Sequence, residues 1–335
     1  MNFHVFINLL LFQILGSMIT KVRHFDISKD QAALEDICAN VYGGSDYLPS
    51  EGKNLAEDPN CSFLVLASEY NDKPLAVANH RRINSSLSWL ECVRTCEQHR
   101  GKGLATKLMR NIVEESSAEG RQLMSCTVSS NTAMMRVFEK FGMTQLCRLR
   151  SIKSEELREQ PGWSPGDERF AQPILKTFGL EQLVSERARN AQWNLVKSNS
   201  EIGVILEMVG KCGGNKNIPG LYEILDDSTK LMDALTKERI YSLRWENDEV
   251  AMIAMVLDDR INSLRSKWVC SIIATSSEAF DSALWHSCSA EVLHKLNADV
   301  AFHVVFDDAV PLINGSIASS LPLVTDPCVL YGKLK

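Results

Sequence analysis

Residues 91–105 read ECVRTCEQHRGKGLA and constrain the fold more than any other stretch. An apolar, β-type run over residues 88–95 ends in a short polar turn that holds Gly101 and Gly103. Beyond the turn, Leu104, Leu108 and Ile112 recur at helical spacing, which predicts an amphipathic helix to about residue 118. A strand, a glycine turn and a helix start, in that order, make a cradle for an anion. Amides of the turn and of the first helical turn have no partner inside the helix, and the helix dipole adds partial positive charge. Arg100 and Lys102 beside them add full charges.

At 335 residues the chain has room for two domains, each with its own core. Its net charge of -6 argues against a nucleic-acid partner, which needs a basic face, but leaves room for a local basic pocket. Of ten cysteines, Cys61, Cys92, Cys126, Cys147 and Cys270 sit in apolar runs, where a free thiol acts as a small hydrophobe. There is no CxxC pair, so reduced core thiols in a cytoplasmic protein are expected. No His, Cys and Asp residues cluster at metal-ligand spacing, so no metal is expected. Residues 1–17, MNFHVFINLLLFQILGS, are an apolar N-terminal extension interrupted by Asn8 and Gln13, without Lys or Arg in front. The run is short for a membrane span, and signal peptide, anchor and simple extension ahead of Met18 stay open.

Along the chain, a strand over residues 19–25 precedes a helix opened by Ser28 and Gln31 in capping-box spacing. The turn-rich segment 43–50 carries Gly43, Gly44, Tyr47 and Pro49. Strands over 61–68 and 74–83 flank Asn71-Asp72, and Asn84-Ser85-Ser86 turns into the strand of Glu91. A strand over 123–129 and a helix from Asn131 follow, the helix ended by Gly142 in a left-handed conformation. A strand over 143–153 is next. Segment 159–170, with Pro161, Gly162, Pro165 and Gly166, reads as a loop shaping a substrate mouth ahead of a strand at 173–178, with an interdomain linker as the alternative. The first domain is thus expected over residues 18–178 and a second over 179–335. Strands at 240–245, 250–257 and 268–274, a helix at 278–296 and a strand at 300–306 repeat the earlier succession. TSSEAFD stands where QHRGKG stood, which suggests a duplicated domain without its anion loop; an unrelated α+β domain stays open.

The turn Gln98-His99-Arg100-Gly101-Lys102-Gly103, the strand LECVRT before it and NTAMMRVFEKFGM from Asn131 together resemble the GNAT superfamily of N-acetyltransferases. The turn matches that family's Q/R-x-x-G-x-G/A pattern in full. The second helix matches in part, since Met134 and Met143 replace the family's Ala and Phe. The string VYGGSDYLPS at residues 41–50, with LECVRTCEQHRGKGLA, resembles the vertebrate histidine N-acetyltransferase family, whose members also carry an extra C-terminal half.

The resemblance implies a GNAT fold of the α+β class: a mixed, mostly antiparallel sheet flanked by helices, with a degenerate GNAT-like second domain. It implies acetyl-CoA as cosubstrate. Gln98, Arg100, Gly101, Lys102, Gly103, Leu104 and Ala105 would hold its pyrophosphate, Val93 and Thr95 its pantetheine arm and acetyl carbonyl, and Asn131 would contribute from the second cofactor helix. Glu91 stands where many small-amine acetyltransferases keep a catalytic base. The family often has a tyrosine, proposed to protonate the departing thiolate, where Phe138 stands here, so no acid is named.

The expected chemistry is direct attack of a neutral amine on the thioester, with Glu91 as general base made more effective by a water-poor cleft. An ion-paired, purely structural Glu91 is the competing reading. Val93 N–H would stabilise the oxyanion. Arg81, Arg82, Arg94 and Arg148 are candidates for an acceptor carboxylate, with Arg82 and Arg94 taken as substrate residues together with Tyr42 and Tyr47. His80 and His99 read as structural. The acceptor expected is a free amino acid, histidine among them, or a small amine. Protein or peptide N-acetylation and a non-catalytic acetyl-CoA-binding module are the alternatives.

Overall fold

A computed structural model describes residues 19–153, 184–212, 218–220, 223–224, 229–258, 267–287, 301–307 and 328–333. The described residues divide into two compact units: those within 19–126, 132–144 and 331–333 form the first, those within 127–131 and 145–330 the second. The expected boundary near residue 178, the loop at 159–170, the strand at 173–178 and the extension at 1–17 all lie outside the described residues.

In the first unit, β1 (Thr20–His24), β2 (Cys61–Ser68), β3 (Pro74–Arg82) and β4 (Leu87–Thr95) pair antiparallel in chain order, and β5 (Gln122–Val128) runs parallel to β4. Helices α1 (Ile27–Cys38), α2 (Leu48–Glu57), α3 (Leu104–Ala118) and α4 (Thr132–Lys140) complete it. The interiors of β2 and β3 are buried on both faces, as their near-continuous apolar sequences require. Side chains alternate along a strand, and the alternation sorts them. Phe63, Val65, Ala67 and Val77 form a core with Leu34 and Ile37 of α1 and Leu48 and Leu55 of α2. His80 and Arg82 turn the other way, towards Glu115 of α3.

Asp26, rather than Ser28, caps α1: its Oδ1 accepts the Ser28 N–H at 2.9 Å. Asp30 reaches back to the Asp26 N–H at 2.8 Å and is clamped by both terminal nitrogens of Arg23. A carboxylate outcompetes a hydroxyl for first-turn amides, so the helix starts two residues earlier than the serine suggested. The last described residues complete this unit from the far end of the sequence. Lys333 N–H donates to the Leu123 carbonyl at 3.0 Å, and the Tyr331 ring packs against Phe138 at 5.0 Å.

The second unit contains β6 (Thr144–Lys153), α5 (Glu186–Arg189), β7 (Asn194–Leu195), α6 (Asn199–Lys211), the short pair β8 (Pro219–Gly220) and β9 (Glu223–Ile224), and α7 (Thr229–Thr236). It continues with β10 (Ile240–Arg244), β11 (Val250–Asp258), β12 (Lys267–Ala274), α8 (Ser277–Ser287), β13 (Ala301–Asp307) and the first three residues of β14 (Cys328–Gly332). Strands β10, β11 and β12 are antiparallel, β12 and β13 parallel, and β13 pairs antiparallel with β6. The strands expected at 240–245, 250–257, 268–274 and 300–306 are present. The helix expected at 278–296 is described only to Ser287. Ala279, Phe280, Ala283 and Leu284 of α8 bury against Tyr241, Ile253, Cys270 and Ile272.

On that helix, His286 stacks flat on Trp193 and meets Tyr241 edge-on. Burial lowers its pKa from 6.5 to about 4. An unfolded chain therefore takes up a proton near pH 6.5 that the folded unit refuses until about pH 4, so stability falls as pH drops through that window. A single proton bounds the slope at about 1.4 kcal/mol per pH unit, and partial exposure lowers it further. Denaturant midpoints between neutral and mildly acidic pH should fall less steeply in His286→Phe, which keeps the stacking; equal slopes would rule the histidine out as the cause.

Candidate active site

The glycine turn forms where the sequence predicts it. A 3₁₀ turn (Glu97–His99) is followed by Gly101 at φ 76° and Gly103 at φ 78°, both left-handed, and Gly103 is the N-cap of α3. No side chain caps the helix. Its first internal bond comes from Lys107 N–H to the Gly103 carbonyl, so the amides of Leu104, Ala105 and Thr106 are left for another acceptor. A side chain at Gly101 or Gly103 would project into open space, since nothing lies within 4 Å of a built Cβ. That open space in front of unpaired amides fits a phosphate group, and the side chains of Gln98, Arg100 and Lys102 are exposed around it. His99 sits beside Lys102; burial, then the lysine charge, lowers its pKa.

Strand β4 pairs with β5 only from Leu87 to Leu90, opposite Gln122 to Ser125, and Ser125 Oγ closes the pairing on the Leu90 carbonyl at 2.8 Å. Beyond it β4 is bulged. Asn79 faces Glu91 and Val77 faces Arg94, so Cys92 and Val93 together oppose one residue of β3, and Cys92 is left-handed at φ 60°. A left-handed non-glycine residue costs of order 1–3 kcal/mol and persists only where its surroundings enforce it. Here the buried Cys92 thiol meets the Tyr47 hydroxyl at 3.4 Å. From Glu91 to Thr95 the β5-side edge of β4 has no strand partner among the described residues, leaving Val93 and Thr95 on an edge that an extended arm can pair with.

Glu91 stands at the start of that edge. Its Oε1 accepts from Asn79 Nδ2 at 2.8 Å and from Arg81 Nε at 2.9 Å. Arg81 Nη1 donates to Asp58 Oδ2 at 2.9 Å. Glu91 is thus a held carboxylate rather than one isolated in an apolar cleft, and its ion-pair partner is Arg81, not Arg82 or Arg94. Its Oε2 has no partner among the described residues. Asp58 carries a lowered pKa, because the Asn60 amide and Arg81 together outweigh its desolvation.

The predicted substrate residues divide. Arg94 is fully engaged: Nε and Nη2 hold Asp46 at 2.7 and 3.3 Å, and Nη1 donates to the Val93 carbonyl. Asp46 is itself buried, and Arg94 keeps its pKa low against desolvation. Arg82 is held by Glu115 and Glu119 on the α3 face, away from Glu91. Tyr47 packs into the α1–α2 core, where burial and Cys92 push its pKa up. Tyr42 is 66% exposed, left-handed at φ 51°, and stacked under the Arg94 guanidinium at 5.3 Å. Arg148 lies on β6 in the second unit. Asn131, also assigned to that unit, donates to Thr127 Oγ1 at 3.0 Å. Helix α4 ends as expected on left-handed Gly142, with Met143 N–H bonded to the Phe138 carbonyl. Phe138 is buried and offers no proton. His80 is fully buried beside Glu115, and desolvation lowers its pKa.

Asn79 and Asp58 were not singled out from the sequence. The hairpin turn could have found Asn79: counting outward from Ser85 pairs Arg82 with Ser88 and Asn79 with Glu91. Among the described residues, no group of three His, Cys, Asp or Glu side chains could hold a metal, and no helix is long and apolar enough to cross a membrane. Cys38, Cys61, Cys92, Cys96, Cys126, Cys212, Cys270 and Cys328 are free thiols.

Residues 31–143 match the acetyltransferase (GNAT) family, the span that contains the cradle, the bulged strand and Glu91. That span is an acetyltransferase domain. No curated protein matches the chain. The whole chain is similar in fold to a GCN5-related N-acetyltransferase from Sphaerobacter thermophilus, with 10% identity, a TM-score of 0.52, and coverage of 94% of this chain and 95% of that one. A GCN5-related N-acetyltransferase from Kribbella flavida (15% identity, TM-score 0.40) is matched over 93% of this chain and 71% of its own. Arabidopsis thaliana NAA60, in complex with a bisubstrate analogue, is 15% identical with a TM-score of 0.35, over 39% of this chain and 87% of that one.

Proposed function

We propose that the first unit transfers the acetyl group of acetyl-CoA to the amine of a free amino acid, histidine among the candidates, or of a small amine, with Glu91 as general base. One observation carries this reading: Glu91 is held by one oxygen, with the other unpartnered, where β4 parts from β5. The cradle amides would take the pyrophosphate and the free β4 edge the pantetheine arm. An ammonium gives a proton to Glu91 Oε2, directly or through water, and the neutral nitrogen attacks the thioester carbonyl. Glu91 passes that first proton to solvent; an N–C bond forms, the C–S bond breaks, and the regenerated carboxylate takes the second nitrogen proton. Thiolate and solvent proton recombine as CoA thiol, so each turnover releases one proton net. Val93 N–H is the proposed oxyanion donor. Tyr42, exposed on a left-handed turn anchored by Asp46 and Arg94, is the proposed acceptor contact; Tyr47 supports it from the core.

The second unit reads as a copy without the cradle. Helix α8 lies between parallel β12 and β13 as α3 lies between β4 and β5. Ser276 Oγ already accepts the Ala279 N–H, and Glu278 in the first turn brings negative charge to the helix start. Free thiols fit a reducing compartment such as the cytoplasm.

The full chain, given acetyl-CoA with amino acids, small amines and peptides in separate reactions, should release CoA thiol with the first two classes. Release with peptides alone would favour peptide acetylation. Thermal stabilisation by acetyl-CoA without any release would leave only a binding module.

A further inference from the structure

Three side chains around the proposed base have unfilled hydrogen-bonding valences, and their chemistry is complementary. Asn79 is completely buried, and its Oδ1 has no partner. Its orientation is fixed by chemistry: the atom 2.8 Å from the acceptor-only Glu91 Oε1 must be the amide nitrogen. A second donor contact, to Cys61 Sγ at 3.3 Å, uses the same nitrogen. The carbonyl oxygen is therefore a buried acceptor awaiting a donor, a condition costing about 1–3 kcal/mol if nothing ever meets it. Glu91 Oε2 is likewise unpartnered among the described residues.

Arg81 supplies the opposite polarity. Its Nε is on Glu91 and its Nη1 on Asp58, which leaves Nη2 without a partner. In a planar guanidinium one of the two Nη2 N–H groups lies parallel to the Nε–H, so an unused donor faces the Glu91 side. Asp58 pins the other edge, and the guanidinium cannot turn Nη2 away without breaking that pair. Arg82 and Arg94 cannot substitute, each being engaged by carboxylates of its own.

Two acceptors beside one fork donor suit a molecule with an ammonium and a carboxylate close together. We propose that Asn79, Arg81 and Glu91 form a zwitterion clamp that selects free α-amino acids: Glu91 Oε2 and Asn79 Oδ1 receive the α-ammonium, Arg81 Nη2 the α-carboxylate. One carbon separates the two groups of the ligand, as the adjacency of Glu91 and Arg81 demands. Glu91, Asp58 and Arg81 sum to one negative charge, which a neutral zwitterion tolerates and a lone carboxylate does not. The clamp rests on the acetyl-transfer reading above and names the acceptor class within it.

The test compares each common L-amino acid with its own carboxamide as acceptor for the full chain, by CoA thiol release. Free acids should exceed their amides in kcat/KM by roughly 10- to 100-fold, the usual worth of a charge-assisted bond. In Arg81→Met that ratio should collapse towards one, through a rise in KM for the acid, with Arg81→Lys intermediate. Acetyl-CoA binding by calorimetry reports that each variant is folded, and the wild-type ratio decides alone if neither variant is. Amides acetylated as well as acids, or an acid preference that survives Arg81→Met, would overturn the clamp while leaving acetyl transfer to amines intact. No turnover with any amine would overturn both.

Discussion

Glu91→Gln should lower kcat by about 10²- to 10⁴-fold, the range expected for loss of a positioned general base. Glutamine keeps the shape of the side chain. Its amide oxygen can still accept from Asn79 and Arg81, which now hold Glu91 Oε1 at 2.8 and 2.9 Å. At the Oε2 position it presents an NH₂ group, which cannot take a proton. Acetyl-CoA affinity should survive, because the cradle and the β4 edge are unchanged. The deficit should also narrow at high pH, where more of the acceptor amine is neutral before it binds. Steady-state thiol release across pH reads both effects. Near-wild-type turnover would reduce Glu91 to a structural partner of Arg81.

Gly103→Val should weaken acetyl-CoA binding by about 100-fold or more. Valine at φ 78° carries left-handed strain of roughly 1–2 kcal/mol, and its β-branch makes the turn harder to hold. Its side chain would also fill the open space in front of the uncapped amides of α3. Each hydrogen bond to a charged ligand lost in this way is worth about 1.5–3 kcal/mol. Lys102→Ala should cost far less, since that side chain is exposed and its charge screened. Calorimetric titration of both variants separates backbone cradle from surface charge; equal affinities for wild type and Gly103→Val would place the pyrophosphate elsewhere.

Local features of this site were legible in the sequence and long-range ones were not. Gly101 and Gly103 announce left-handed turns by residue type alone, and Leu104, Leu108 and Ile112 fix the buried face of α3 by spacing. Gly142 ended its helix for the same reason. Partners of charged residues depend on strand register and on which face each side chain takes. Hence Arg81 with Asp58 and Glu91, and Arg94 with Asp46, appeared only in three dimensions. Cys92 illustrates a sharper limit, because a left-handed cysteine at a bulge has no local sequence signature. So does the helix start at Asp26, where capping by a carboxylate and the Arg23–Asp30 pair overrode the serine signal. The return of residues 331–333 to the first unit is the most distant case, since nothing near Tyr331 points to Phe138.

Calorimetric titration of the full-length chain with acetyl-CoA bears most directly on the cradle at Gly101–Gly103 as the cosubstrate site. One saturable site per chain is predicted, lost in Gly103→Val, with none contributed by the α8 end of the second unit. Absence of binding, or two equivalent sites, would contradict it.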